Sequence, residues 1–136
     1  MQQCSFAVQA PAQGLFEITG ELNRQLAKMA ASAGLAQLFI RHTSASLIVQ
    51  ENADPAVQHD LERFLNRLVP ERQSLYTHIQ EGPDDMPAHI KGALTATSLS
   101  LPVAAGQLAL GTWQGVYLWE HRKVPRSREL ILSLLD

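Results

Sequence analysis

Five histidines, at positions 42, 59, 78, 89 and 121, are the first residues in this chain that could do chemistry. Imidazole binds transition metals and moves protons near neutral pH. None of the five forms an HxH or HExxH pattern, and the single Cys4 makes no Cys/His zinc pair. A three-histidine site would therefore have to be assembled by tertiary structure. The contexts differ. His42 interrupts an apolar stretch and is followed by Thr43, Ser44 and Ser46; buried polar groups need partners, so either a structural network or a site is expected there. His78 and His89 flank a segment rich in Pro, Gly and Asp. His59 falls on the polar side of a helical pattern and reads as solvated. His121 sits beside Arg122 and Lys123 and reads as a surface residue.

Carboxylates and amides form a second group. Asp54 precedes Pro55 and reads as a helix cap; Asn52 reads as turn chemistry. Asp60 lies next to an apolar stripe, where it would pair with an arginine or serve a site. Asp84 and Asp85 are adjacent. They are cap and loop residues in one reading, and Mg²⁺ ligands or acid/base groups in the other. Lys91 would face phosphate or water. Gly111-Thr112-Trp113-Gln114-Gly115 suggests a close backbone approach, with Trp113 structural or walling a small-molecule pocket. Residues 121–128, HRKVPRSR, contain four cations and no acid. They read as a solvated hairpin loop or an anion contact; without aromatic stacking residues they point away from nucleic acid.

These groups must be positioned by a succession of short elements. Strands are expected over 3–9 and 15–18, forming an opening hairpin through Pro11 and Gly14. A helix follows over about 20–33 with Leu22, Leu26, Met29 and Ala33 on one face, stopped by Gly34. Strands at 35–41 and 46–49 lead to a helix from Pro55 to Pro70, with Val57, Leu61, Phe64, Leu65 and Leu68 as its apolar stripe. After an irregular 71–83 comes a short helix over about 87–97, capped by Asp84 or Asp85. Strands follow at 98–103, 107–110, 115–120 and 129–134. The order predicts an α+β fold, an antiparallel, sandwich-like sheet core carrying two main helices and one short helix on one face.

At 136 residues, with 46% hydrophobic and 18% charged residues, the chain has the size and composition of a single folded domain. No apolar run approaches the roughly 18 residues of a membrane span, so no membrane partner is expected. A lone cysteine and an N-terminus without a basic, apolar leader lead to the expectation of a cytoplasmic protein. The net charge of -2 gives no general attraction for nucleic acid.

His42-Thr43-Ser44-Ala45-Ser46-Leu47 and Glu51-Asn52-Ala53-Asp54-Pro55 resemble the signature of the YjbQ-like family. Gly82-Pro83-Asp84-Asp85-Met86-Pro87-Ala88-His89-Ile90-Lys91 resembles its second block, and Leu110-Gly111-Thr112-Trp113-Gln114-Gly115 its third. The resemblance implies an α+β fold, a homotrimer and a secondary thiamine-phosphate synthase activity. It points to His42, His78 and His89 as a metal-binding or catalytic trio, with Asn52, Asp60 and Asp84 as polar neighbours. Three chemistries are then expected. The first is a transferase joining an aminopyrimidine-methyl diphosphate to a thiazole phosphate. In it Mg²⁺ would sit on Asp84 or Asp85, Arg41 and Lys91 would face phosphates, His42 or His89 would donate a proton, and Ser44, Asn52, Thr112 and Trp113 would line the substrate. The second is a hydrolase or lyase with Zn²⁺ or another transition metal on the three imidazoles, and Asp60 or Asp84 as base or orienting group. The third is a non-catalytic metabolite- or metal-binding trimer, in which oligomerisation covers sheet edges.

Overall fold

In the last strand Arg128, Leu130, Leu132 and Leu134 are buried while Glu129, Ile131 and Ser133 turn outward. This period of two recurs along the chain and builds two antiparallel sheets. The computed structural model describes residues 1–136. Its elements are β1 (Gln2–Ala10), β2 (Gly14–Glu17), α1 (Thr19–Lys28), β3 (Gly34–Ile40), β4 (Ala45–Glu51), α2 (Pro55–Leu68), α3 (Asp85–Leu94), β5 (Ser98–Ala104), β6 (Gln107–Leu108), β7 (Gln114–Glu120) and β8 (Arg126–Leu135). The larger sheet runs β1-β8-β3-β5-β6 and the smaller β2-β7-β4. The architecture is α+β with antiparallel sheets, as expected. No helix is long and apolar enough to cross a membrane.

The opening hairpin does not form. β1 pairs with β8 and β2 with β7, so residues 11–13 carry the chain from one sheet to the other. Alternation marks a strand but not its partner, and the partners lie 100 or more residues downstream. Between the sheets, Ala36, Leu38, Ile40, Leu101, Leu130 and Leu132 of one meet Ala45, Leu47, Val116 and Leu118 of the other. Each Leu, Ile or Val side chain among them contributes about 1.5–3 kcal/mol by leaving water. α1 adds Leu22, Leu26 and the adjacent Met29 to this same core. It is shorter than expected because Ala30 takes a left-handed φ of 53°, so Ala33 is not helical.

The other face of the small sheet is covered by α2 and α3. Trp119, Leu65 and Val69 form a second buried cluster, with Leu15, Ile48, Leu61 and Ile90 against it. The small sheet is thus covered on both sides, and the run from Val116 to Arg122 is continuously buried. Asp54 caps α2 by accepting from the Ala56 N–H at 2.9 Å. The helix presents Leu61 and Leu65 inward, with Glu62 accepting from Trp119 Nε1 at 2.6 Å. Phe64 and Leu68, expected in the buried stripe, are exposed. α3 begins earlier than expected, at Asp85. Asp84 makes no side-chain cap bond, because its carboxylate is taken by Arg122 and by the Lys123 N–H. β6 stops at Leu108 after a two-residue turn through Ala105 and Gly106, both at positive φ.

Candidate metal centre

Asp85 and His89 stand four residues apart on α3 and so share a face. His78, from the segment before the helix, closes on them. Its Nε2 lies 2.7 Å from Asp85 Oδ2, and His89 Nε2 lies 3.2 Å from the same oxygen. The two rings meet edge to face with centroids 5.2 Å apart. One donor atom from each of the three residues falls within 4.8 Å of the others. Asp85 is buried, whereas the His78 and His89 side chains are 46% and 32% exposed, so the group opens to solvent. Arg122 Nη1 donates to Asp85 Oδ1 at 2.7 Å. Burial alone would raise the Asp85 carboxyl pKa; the His78 hydrogen bond and the Arg122 charge outweigh it and hold it below the ordinary range.

Two imidazole nitrogens and one carboxylate oxygen are a donor set for Zn²⁺, Fe²⁺ and similar ions. A hard ion such as Mg²⁺ prefers oxygen throughout. The residues present therefore fit a transition metal; the donor atoms that fall together are those of His78, Asp85 and His89, a group that does not include His42.

His42 has a different task. Its Nε2 accepts from the Glu129 N–H at 2.7 Å, so the proton of the neutral ring is on Nδ1. Burial, then the charge of Arg128, holds its pKa below the usual histidine value. His42 and His89 nevertheless line one cavity of about 300 Å³, with Thr43, Ala45, Gly92 and Thr97. Gly92 permits this approach: a Cβ there would meet the Thr43 carbonyl oxygen at 3.2 Å.

Beneath the cavity lies a buried polar network. Glu120 Oε1 accepts from Arg128 Nε at 2.6 Å, and Glu120 Oε2 accepts from Arg128 Nη2 and the Arg122 N–H. Arg128 Nη2 also donates to Ser44 Oγ at 2.9 Å. The His121 ring, 1% exposed, bonds Ser46 Oγ through Nε2 at 2.8 Å, and its Nδ1 has no partner. Burial, with the charges of Lys91 and Arg128, pushes its pKa down to about 3. Two expectations are corrected here. His121 is not a surface residue, and the 121–128 segment is not simply a solvated loop, because Arg122 and Arg128 are buried counter-ions.

The other expected residues disperse. Arg41 pairs with Glu129 at 2.8 Å at the exposed end of β3. Asp84 is bound by Arg122, and Lys91 points to the opposite side of α3 from His89, into another cavity. Asp60 is exposed on α2 beside Arg63 and Arg67. Ala45 and Glu120 pair at one end of the small sheet, Glu51 and Gln114 at the other. Ser44 belongs to the first end. Asn52, Thr112 and Trp113 belong to the second, where the Asn52 N–H donates to the Trp113 carbonyl at 2.9 Å. Asp60, Asn52, Thr112 and Trp113 therefore stand outside the histidine group of this chain.

The pattern of the UPF0047 protein YjbQ-like family matches residues 4–136. The chain belongs to the YjbQ family. UPF0047 protein YjbQ of Escherichia coli O157:H7 is 47% identical over 133 residues, covering 97% of this chain and 96% of that protein. UPF0047 protein sll1880 of Synechocystis is 59% identical over 101 residues, 74% of this chain and 69% of the relative. Among solved structures, protein TT1486 of Thermus thermophilus superposes with a TM-score of 0.88 at 38% identity, covering 97% of this chain and 99% of that one. A YjbQ/UPF0047 protein of Clostridium acetobutylicum superposes with a TM-score of 0.87 at 29% identity and the same coverage. These likenesses place the YjbQ fold on the whole chain.

Proposed function

We propose that this YjbQ protein is a metal-dependent enzyme. In this reading it holds a divalent transition ion on His78, Asp85 and His89 and performs hydrolysis or elimination on a small metabolite in the cavity shared by His42 and His89. The observation that carries the reading is the convergence of two imidazole nitrogens on one buried carboxylate oxygen. Such an ion would supply Lewis acidity toward a carbonyl or phosphoryl oxygen. The chain does the rest. Arg122 fixes Asp85 in its ionised, ligating form. His42, neutral and oriented by the Glu129 amide, offers Nδ1–H as a hydrogen-bond donor to a ligand beside His89.

Thiamine-phosphate synthesis, the transfer implied by the family resemblance, has less support. A departing diphosphate needs cations, yet Arg41 is neutralised by Glu129 and Lys91 faces away from the histidines. We also read the protein as a homotrimer, as the family resemblance implies; apolar groups left on its surface, Leu35, Phe39 and Leu135 on the large sheet and Phe64 and Leu68 on α2, favour association of some kind. The free Cys4 suits a reducing, cytoplasmic location.

Metal analysis of tag-free protein tests the central reading. One equivalent of a transition ion per chain, lost in His78→Ala and His89→Ala but kept in His42→Ala, is expected. No retained ion in the wild-type protein, or equal loss in all three variants, contradicts it.

A further inference from the structure

The histidine group borders two cavities. His89 is a wall of the one it shares with His42. His78 is a wall of another, of about 210 Å³, whose other walls include Arg72, Tyr76, Ile79, Pro83 and Met86. We propose that this second cleft binds a small molecule made of one apolar ring or branched chain and one oxyanion, a carboxylate or phosphate, with Arg72 pairing the oxyanion. The binding stands by itself. That the bound molecule is the substrate of the adjoining ion rests on the metal-centre reading, to which it adds the class of metabolite.

Three observations carry the site. The first is charge. Arg72 is the one permanent charge on the cleft walls, and no acid stands among them. Glu81, whose carboxylate lies 3.6 Å from His78 Nε2, is not one of the walls. Glu71, the acid next to Arg72 in the chain, pairs with Lys123 at 2.8 Å. None of the chain's salt bridges uses Arg72. A guanidinium offers parallel N–H groups that match a carboxylate or phosphate.

The second is backbone. Three residues other than glycine have positive φ: Ala30, Arg72 and Ala105. Ala30 follows the end of α1, and Ala105 lies in the β5–β6 turn. Arg72, at φ 57°, has neither explanation. Strain of this kind collects at ligand-binding positions.

The third is the apolar lining. Ile79 is 69% exposed, beside Tyr76 and Met86. Tyr76 is held in place, its hydroxyl donating to the Pro70 carbonyl at 2.9 Å. The far part of the segment is tied down by Arg122, whose Nη2 donates to the Glu81 carbonyl at 2.8 Å. The walls are thus fixed at both ends. An apolar cavity of roughly 150 Å³ takes a benzene ring, so a single ring with a small acidic group is the size that fits.

Tag-free protein is titrated calorimetrically with phenyl phosphate, with benzoate and with benzyl alcohol. Saturable binding of phenyl phosphate or benzoate is expected, the tighter of the two naming the oxyanion, and benzyl alcohol should bind more weakly than either. Arg72→Gln should weaken the tighter anion by about tenfold or more, the loss of a charge-assisted pair, and leave benzyl alcohol unchanged. Arg72→Gly, suited to a positive φ, should lose the anion equally while its melting temperature stays within about 2 °C of wild type, which separates lost binding from lost folding. Failure of both anions to saturate, or an affinity within about twofold of wild type in Arg72→Gln, overturns the proposal. The titrations are run on zinc-loaded and on chelated protein, with zinc measured in each. Arg72-dependent binding in a protein that retains no zinc sinks the metal reading alone. Zinc retained with binding indifferent to Arg72 sinks this one alone.

Discussion

Replacing Glu120 by Gln is expected to cost about 3–5 kcal/mol of stability, the range for breaking one side of a buried ion pair. The Glu120 side chain is 0% exposed and that of Arg128 5%. The carboxylate takes Arg128 Nε at 2.6 Å, Arg128 Nη2, and the Arg122 N–H at 3.1 Å. Gln keeps the shape, but its NH₂ group opposes one guanidinium N–H. Arg128 then keeps only neutral partners, the one remaining amide oxygen and the Ser44 groups. A domain of this size has about 5–15 kcal/mol in all, so roughly a fifth or more is lost. At roughly 3–5 °C per kcal/mol, the melting temperature falls by about 10–25 °C. Urea titrations followed by far-UV circular dichroism measure the loss directly. Adding Arg128→Met to Glu120→Gln should recover most of it, because the stranded charge is what is costly. A single variant within about 1 kcal/mol of wild type, or a double variant as unstable as the sum of the singles, refutes the reasoning.

Further outcomes follow from the same structure. The unfolded chain protonates His121 near its ordinary pKa of 6.5, while the folded chain refuses the proton until about pH 3. Stability is therefore fully present above this window and falls as pH drops through it, by about 1.4 kcal/mol per unit. His121→Gln should flatten that part of the stability–pH curve, measured by urea titration at each pH; an unchanged slope counts against the buried neutral ring. Asp54→Ala removes the acceptor of the Ala56 N–H and should cost about 0.5–2 kcal/mol in the same titrations. Gly34→Ala should cost more than about 1 kcal/mol, because φ there is +142° and a Cβ would meet the Leu135 carbonyl oxygen at 2.4 Å. A neutral result in thermal melts would mean that the end of β8 yields.

Much of the fold can be read from local patterns. The Asp54-Pro55 start of α2, the Ala105-Gly106 turn and the alternation in β8 each rest on a few neighbouring residues. Strand partners do not, which is why β1 and β2 part company. The α2 stripe misled because Phe64 and Leu68 satisfy the helical period yet face outward, while polar Glu62 turns in to meet Trp119. The histidine group was half legible: His78 and His89 converge, but their third partner is a carboxylate that sequence alone assigned to capping or Mg²⁺. The buried network was signalled and could have been found. Glu120 stands in register with Val116 and Leu118, and Arg128 with Leu130 and Leu132, each at a core-facing position. A charge at such a position requires an opposite charge, and these two are eight residues apart. Read as a basic run, HRKVPRSR concealed that pairing.

The central claim is that His78, Asp85 and His89 form one metal site. Crystals of tag-free protein soaked in ZnCl₂ and measured at the zinc absorption edge test it most directly. An anomalous peak is expected about 2.0–2.2 Å from His78 Nε2, His89 Nε2 and Asp85 Oδ2, lost in His89→Ala. A peak centred on His42 instead, or no peak among these three atoms, contradicts it.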